Sequence, residues 1–226
     1  MHTVIYCMNI QQFEKGIVYY GVEKPINGGV IYLHSLTQGS DTPFAQAVIK
    51  SLIEIGFGVF TCTFDFLRDK TAPSPRLESE KDRVKEMIKI AMAHLGVEQV
   101  SLVGKSLGGC IAMATALESS SIKNIAVLGF PLALGFPPRV ELLKGVQEDA
   151  FDAITEYKQL LGKVNCPMFL LQGGADGLGS VEDCKKLSDQ VQSISIDVIE
   201  GADHSFMVKG GSAWEDCFAK LGERLQ

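Results

Sequence analysis

The sequence has little of what marks membrane, nucleic-acid-binding or metal-binding proteins. No apolar run approaches the roughly 20 residues that a membrane-spanning helix needs. The net charge is −6 and there is no basic stripe, which argues against nucleic acid as a partner. The six cysteines are scattered and form no Cys-x-x-Cys pair, so neither a zinc ribbon nor a thioredoxin-like site is predicted. We therefore expect no metal, no cofactor and no membrane partner.

Two further features bear on the compartment of the protein. The first residues have no basic start and only a short apolar run, which predicts that the chain carries no signal peptide. Several cysteines lie inside apolar runs, as buried reduced thiols do. Both features predict a cytoplasmic protein.

Strand-like and helix-like segments alternate along most of the chain. Apolar residues make up 46% of the sequence and the mean hydropathy is +0.15, an excess typical of strands covered by helices on both faces. The pattern predicts one α/β domain over residues 1–226, with a mostly parallel sheet and helices on both faces. About six parallel strands follow a short antiparallel start, and residues 131–162 are the candidate for a small cap. The predicted parallel strands are 29–34, 58–64, 99–103, 124–129, 167–172 and 194–199.

The segment Val100–Gly109, VSLVGKSLGG, carries the clearest chemical signal. It reads as a G-x-S-x-G nucleophile elbow, in which a sharp strand-to-helix turn exposes Ser106 at the edge of the sheet. A phosphate-binding loop would need a glycine five residues before Gly104, where Gln99 stands. Chance occurrence is the remaining alternative, and the position between a strand and a helix argues against it. The elbow makes Ser106 the candidate nucleophile.

A serine nucleophile needs a base, and the chain has only four histidines. His2 is terminal, His94 lies in a predicted helix, and His34 ends an early strand, where a structural role is the favoured interpretation. His204 follows the last predicted strand, in the polar segment EGADHSF at the carboxyl edge of the sheet. We therefore predict His204 as the general base.

The base needs a carboxylate to fix its tautomer. Asp176 follows the fifth parallel strand, between glycines that let the loop bend toward the site. Asp203 is the first rival because it adjoins His204, but neighbouring side chains rarely meet in the required geometry; Asp65 is the weaker fallback. The order Ser106, Asp176, His204 is the one expected of α/β-hydrolases.

The remaining parts of the site are main-chain donors and a pocket. The N–H of Leu107, directly after the nucleophile, and that of Leu36, in the loop after the first parallel strand, are the predicted oxyanion hole, with Ser35 as the next choice. Solvated surface is the favoured interpretation of Lys105 and Arg139. The predicted substrate pocket contains Ser35, Leu132 and Leu178.

Together, VGKSLGG, the FDF ending of 59–66, LGFPL at 128–132, CPMFLLQGGADGLGS at 166–180 and GADHSF at 201–206 resemble small α/β-hydrolases of the dienelactone-hydrolase-like class. Within that class, the chain resembles more specifically a branch with a G-K-S-x-G-G elbow. It implies the α/β-hydrolase fold and a carboxylic-ester-type hydrolase with Ser106, Asp176 and His204 as its triad. Two features depart from the class. Serine replaces its usual nucleophilic cysteine, and the loop His34–Gly39 lacks its usual H-G-x-G-G pattern.

Three functional hypotheses follow. The first is a serine hydrolase that cleaves a small carboxylic ester, lactone or thioester, with a small-molecule acyl compound as its substrate. The second is a non-catalytic binding or scaffold protein on the same fold, motivated by the irregular loop after His34. The third is an acyltransferase or peptidase that uses the same triad.

Overall fold

The computed structural model describes residues 9–135, 138 and 152–226. Of the predicted cap 131–162, residues 136, 137 and 139–151 lie outside the described residues, and Arg139 lies among them. The strands are β1 (Asn9–Gln12), β2 (Val18–Gly21), β3 (Gly29–Leu33), β4 (Gly58–Thr61), β5 (Val100–Lys105), β6 (Ile122–Leu128), β7 (Met168–Gly173), β8 (Ile194–Ile199), β9 (Met207–Val208) and β10 (Gly211–Ser212). The helices are α1 (Pro43–Glu54), α2 (Asp65–Arg68), α3 (Glu78–Leu95), α4 (Leu107–Ala116), α5 (Ala153–Leu161), α6 (Val181–Gln190) and α7 (Trp214–Leu225).

Eight strands form one sheet in the order β1-β2-β4-β3-β5-β6-β7-β8. The six strands from β3 to β8 are mutually parallel, whereas β1 and β2 pair antiparallel at one edge. This architecture confirms the predicted α/β fold, with its short antiparallel start. Because the strands are parallel, all six of their carboxyl ends lie at the same edge, where ligands bind in open sheets of this kind.

The two faces of the sheet are covered by different helices. On β3, Ile31 and Leu33 pack into a core with α3, α4, α5 and α6, while Val30 and Tyr32 pack into a core with α1 and α7. On β5, Leu102 and Val103 divide in the same way. Burial on both faces explains why these strands are continuous apolar runs in the sequence.

Helix α3 spans 18 residues and buries one face through Val84, Met87, Ile88 and Ala91. It ends at Gly96, whose φ of 66° places it in the left-handed region that glycine adopts most easily. The charged outer face makes this long helix amphipathic. Within residues 9–135, 138 and 152–226, no helix is both long and apolar enough to cross a bilayer.

Several element boundaries differ from the pattern in the sequence. The pattern of residues 140–161 predicts one or two helices, of which residues 140–151 lie outside the described part of the chain. Helix α5 begins at Ala153, where the Asp152 side chain caps it by accepting the N–H groups of Ile154 and Thr155. The sequence pattern also predicts a helix over residues 210–225. Helix α7 begins only at Trp214, because β9 and β10 form a small antiparallel ribbon just before it. Two-residue strands are too short to produce a periodic signal, so the sequence did not indicate this ribbon.

Candidate active site

Ser106 lies at a sharp turn between the last residue of β5 and the first residue of α4. Its φ of 54° and ψ of −116° fall in a region that non-glycine residues rarely occupy. Its N–H nevertheless bonds the carbonyl of Leu128 at 3.0 Å, so the sheet pairing continues up to the turn. The surrounding packing therefore holds this serine in a strained backbone conformation at the carboxyl edge of the sheet.

The glycines of the motif let the strand, the helix and a neighbouring loop approach closely. A Cβ at Gly104 would overlap the backbone of Gly108 and Gly109. A Cβ at Gly108 would overlap the carbonyls of Leu33 and His34, at the end of β3. Both obstacles are main chain, which cannot move aside as a side-chain tip can. The spacing of the glycines is thus required by the backbone packing of the elbow.

Side chains from three strand ends meet at Ser106. The Ser106 hydroxyl lies 3.0 Å from Nε2 of His204, and Nδ1 of His204 lies 2.8 Å from Oδ2 of Asp176. Ser106 follows β5, Asp176 follows β7, and His204 follows β8. The structure therefore brings together the three side chains that the sequence singled out.

The Asp176 carboxylate is fully buried and fixed at both oxygens. Oδ2 accepts the ring N–H of His204 and also an N–H of the Gln172 carboxamide at 2.9 Å, and Oδ1 accepts the main-chain N–H of Leu178 at 2.8 Å. Gln172 is itself held, since its Oε1 accepts the N–H of Phe130 at 2.7 Å and its Nε2 donates to the carbonyl of Gly179 at 2.7 Å. Gln172 was not among the site residues predicted from the sequence, although a polar residue inside the buried strand β7 was an available signal.

The rival residues have other partners. Oδ1 of Asp203 accepts the N–H groups of Ser205 and Met207 at 2.8 and 2.9 Å, within its own loop. Asp65 pairs with Arg68 at the surface. His34 accepts the N–H of Phe64 at Nε2 and donates from Nδ1 to the Ser35 carbonyl, and burial lowers its pKa. These contacts give His34 the structural role that the sequence favoured.

A family model described as an alpha/beta hydrolase domain matches residues 27–218. The chain belongs to the alpha/beta hydrolase family.

Solved structures show how widely this fold is shared by α/β hydrolases. The ferulic-acid complex of Est1E from Butyrivibrio proteoclasticus superposes with a TM-score of 0.70 at 17% identity, covering 96% of this chain and 94% of the other. An alpha-beta serine hydrolase homologue from Coxiella burnetii gives 0.67 at 16%, covering 99% and 98%. A monoacylglycerol lipase from Paleococcus ferrophilus gives 0.66 at 19%, covering 96% and 98%. No curated protein sequence matches the chain.

The two predicted main-chain donors of this α/β hydrolase lie on elements that pack together. Leu107 is the first residue of α4, and Leu36 lies in the loop after β3. The close approach of Gly108 to the carbonyls of Leu33 and His34 brings that loop onto the first turn of α4. Within the described residues, neither the Leu107 nor the Leu36 N–H has a backbone partner outside regular helix and strand bonding.

The predicted pocket residues lie in three loops at the same edge of the sheet. Ser35 Oγ accepts the N–H of Gln38 at 3.2 Å and closes a tight turn. Leu132, in the loop after β6, is 4% exposed and packs into the core. Leu178 is half-buried, and its carbonyl accepts the N–H of Ala133 at 2.9 Å. The loops after β6 and β7 therefore touch beside the Asp176 carboxylate, and a role for these side chains in substrate binding stays a prediction.

The structure corrects the expectation that the Lys105 side chain is solvated at the surface. Lys105 is only 6% exposed, its ammonium donates a hydrogen bond to the His204 carbonyl at 2.7 Å, and it lies 5.7 Å from the centre of the Phe206 ring. Burial lowers its pKa to about 8. The available signal was the alternation of β5, which places Lys105 on the same face as the buried Val103.

The buried ammonium leads to a pH-dependent stability difference. In the unfolded chain the pKa of Lys105 is 10.5, so between pH 8 and 10.5 the unfolded state binds more protons than the folded state. We expect the free energy of unfolding of the wild type, relative to Lys105→Met, to rise by on the order of 3 kcal/mol across that range. Urea denaturation of both proteins at several pH values measures this. A difference that stays constant with pH would contradict it.

Proposed function

We propose that this α/β hydrolase is a serine hydrolase that cleaves a small carboxylic ester, lactone or thioester through an acyl-enzyme on Ser106. One observation carries the proposal: the unbroken chain of contacts from the Ser106 hydroxyl through His204 to the Asp176 carboxylate, at 3.0 and 2.8 Å. A serine hydroxyl becomes an effective nucleophile when an oriented base accepts its proton. The strained backbone of Ser106 supports the same role, since strain of this kind is retained at functional sites.

In the first half of the reaction, Ser106 Oγ attacks the substrate carbonyl carbon while its proton passes to Nε2 of His204. Asp176 accepts the Nδ1–H of His204, which leaves Nε2 free as the acceptor and stabilises the imidazolium that forms. The carbonyl oxygen becomes an oxyanion, which the N–H groups of Leu107 and Leu36 stabilise in this proposal. When the tetrahedral intermediate collapses, the bond to the leaving group breaks and the imidazolium gives its proton to the departing oxygen or sulfur.

In the second half, water attacks the acyl carbon and transfers a proton to Nε2 of His204. Collapse of the second intermediate releases the carboxylic acid and returns the proton to Ser106 Oγ. The G-K-S-L-G-G elbow and the G-A-D-H-S-F loop support assignment to the dienelactone-hydrolase-like class. Two of the structural relatives are described as a serine hydrolase homologue and a monoacylglycerol lipase, the same broad reaction class.

A fluorophosphonate probe tests the proposal directly, because it forms a covalent adduct with an activated serine. We expect the wild type to be labelled and the adduct to map to Ser106 by peptide mass spectrometry, while Ser106→Ala stays unlabelled. A panel of p-nitrophenyl esters of increasing acyl length, run with both proteins, then identifies the acyl size that fits.

A control variant and two possible outcomes distinguish a serine hydrolase from a binding protein. Ser51→Ala removes a hydroxyl that donates to the Val48 carbonyl within α1, away from the triad, and is expected to keep the label. Equal labelling of wild type and Ser106→Ala would end the proposal. A wild type that neither reacts with the probe nor hydrolyses any ester would favour a binding protein on this fold.

A further inference from the structure

We propose that Lys105 is a positioning residue for the catalytic base: its ammonium fixes the backbone of His204 against the strand that carries Ser106. The inference rests on the proposed function, in which His204 is the base. Lys105 directly precedes Ser106, and its Nζ donates to the carbonyl of His204 itself at 2.7 Å. One side chain thus joins the residue before the nucleophile to the residue that carries the base.

The surrounding structure is shaped to admit this contact. At the end of β6, a Cβ on Gly129 would lie 3.0 Å from the Lys105 ammonium, 3.2 Å from the His204 carbonyl and 3.3 Å from Nδ1 of His204. A side chain there would require the ammonium and the His204 residue to shift by a few tenths of an ångström. The Phe206 ring, whose centre lies 5.7 Å from the ammonium, is fully buried. A glycine and an aromatic ring therefore define the space that the ammonium fills.

The His204 loop has other restraints, which fix it to itself and to β7. Asp203 accepts two N–H groups within the loop, and the carbonyls of Ala202 and Asp203 rest directly against Gly173 at the end of β7. These contacts fix the position of the loop relative to β7. The bond from Lys105 ties the same loop to β5, the strand that leads into Ser106. Reacting groups must be held to within about 0.5 Å for efficient catalysis. The hydrogen bond from Lys105 therefore helps to fix the distance between Nε2 of His204 and the Ser106 hydroxyl.

Stability does not account for an ammonium at this place. Among the described residues, no carboxylate lies within ion-pair distance of Lys105, whose hydrogen-bond acceptor is a neutral carbonyl. A buried charge without a direct counter-ion lowers stability, whereas methionine has a similar shape and carries no charge. The lysine is therefore retained at a cost in stability, which fits a role in holding the base.

The test compares wild type with Lys105→Met, which keeps the bulk of the side chain and removes the donor. A matched control is Thr115→Val, which removes another buried donor to a main-chain carbonyl, that of Ile111, at the far end of α4. We expect Lys105→Met to lower kcat by about 10- to 100-fold with KM nearly unchanged, because misplacement of a catalytic group slows chemistry without touching the substrate. Thr115→Val is expected to keep the wild-type kcat.

The pH profile separates positioning from general loss of structure. As Lys105 loses its proton near pH 8, its hydrogen bond weakens, so the ratio of wild-type to Lys105→Met kcat should fall above that pH. The titratable groups that act on the ammonium are Asp176, Asp203 and Cys217; burial raises the pKa of Cys217 to about 12, so its thiol does not titrate in this range. A ratio that is constant with pH, or a kcat equal to wild type, would overturn the proposal.

A readout that needs no turnover keeps this proposal distinct from the proposed function. The Nδ1 proton that His204 shares with Asp176 can be followed by proton NMR as a downfield resonance. We expect it to persist in wild type and Thr115→Val and to be lost through faster exchange in Lys105→Met. An unchanged resonance in Lys105→Met would overturn the positioning role, whereas absent fluorophosphonate labelling of the wild type would count against the hydrolase alone.

Discussion

Asp176→Asn is expected to hydrolyse esters with a kcat about 10⁴-fold below that of the wild type. The carboxylate faces three donors: His204 and Gln172 at one oxygen and the Leu178 N–H at the other. The carboxamide of asparagine has one acceptor oxygen and one donor NH2 group. In either orientation the NH2 group therefore faces a neighbouring donor instead of an acceptor. If the amide nitrogen faces His204, it stabilises the tautomer whose Nε2 cannot accept the serine proton; in the opposite orientation the negative charge beside the imidazolium is still lost.

The same substitution at the neighbouring acid provides the control. Asp203→Asn keeps an oxygen to accept the N–H groups of Ser205 and Met207, so the loop stays closed and kcat should remain within about threefold of wild type. Steady-state kinetics on a p-nitrophenyl ester, with circular dichroism to check folding, measures both variants. A larger loss for Asp203→Asn than for Asp176→Asn would transfer the role of the acid to Asp203.

Gly104→Ala is expected to destabilise the fold by more than about 4 kcal/mol, or to prevent folding altogether. The added Cβ would overlap the backbone of Gly108 and Gly109, and neither can move without displacing the first turn of α4 from β5. Because Ser106 lies between these glycines, the same displacement would remove its hydroxyl from His204. Urea denaturation followed by circular dichroism measures the loss.

Gly211→Ala is the matched control for this prediction. A Cβ at Gly211 would meet no atom within 4 Å, and Gly211 does not have a positive φ. Its free energy of unfolding should therefore stay within about 1 kcal/mol of wild type. If Gly104→Ala proved as stable as Gly211→Ala, the tight packing of the elbow described above would be wrong.

The sequence predicted the parts of the molecule that depend on local pattern. Continuous apolar runs predicted strands buried on both faces, and the structure places six of them in one parallel sheet. The candidate triad followed from the same reasoning. Ser106, Asp176 and His204 each come after a strand, and parallel strands share one carboxyl edge. The approach of these three side chains required no knowledge of loop conformation beyond that edge.

The parts that the sequence did not predict depend on contacts between distant segments. Lys105 was interpreted as solvated, because a lysine next to a glycine-rich turn gives no local sign of the His204 carbonyl 99 residues away. Gln172 likewise gave no local sign of its contacts with Phe130 and Gly179. Both are polar residues in buried strand positions, so their burial depends on partners that only the folded sheet supplies.

The contacts of Gln172 link the acid of the candidate triad to a neighbouring strand end. Its carboxamide grips the main chain after β6 through Phe130 and, at the same time, the Asp176 carboxylate and the carbonyl of Gly179. A shift of the Phe130 segment is therefore transmitted through one rigid amide to the acid. Because the same carboxylate accepts the ring N–H of His204, the main chain at Phe130 and the orientation of the imidazole depend on each other through this one side chain.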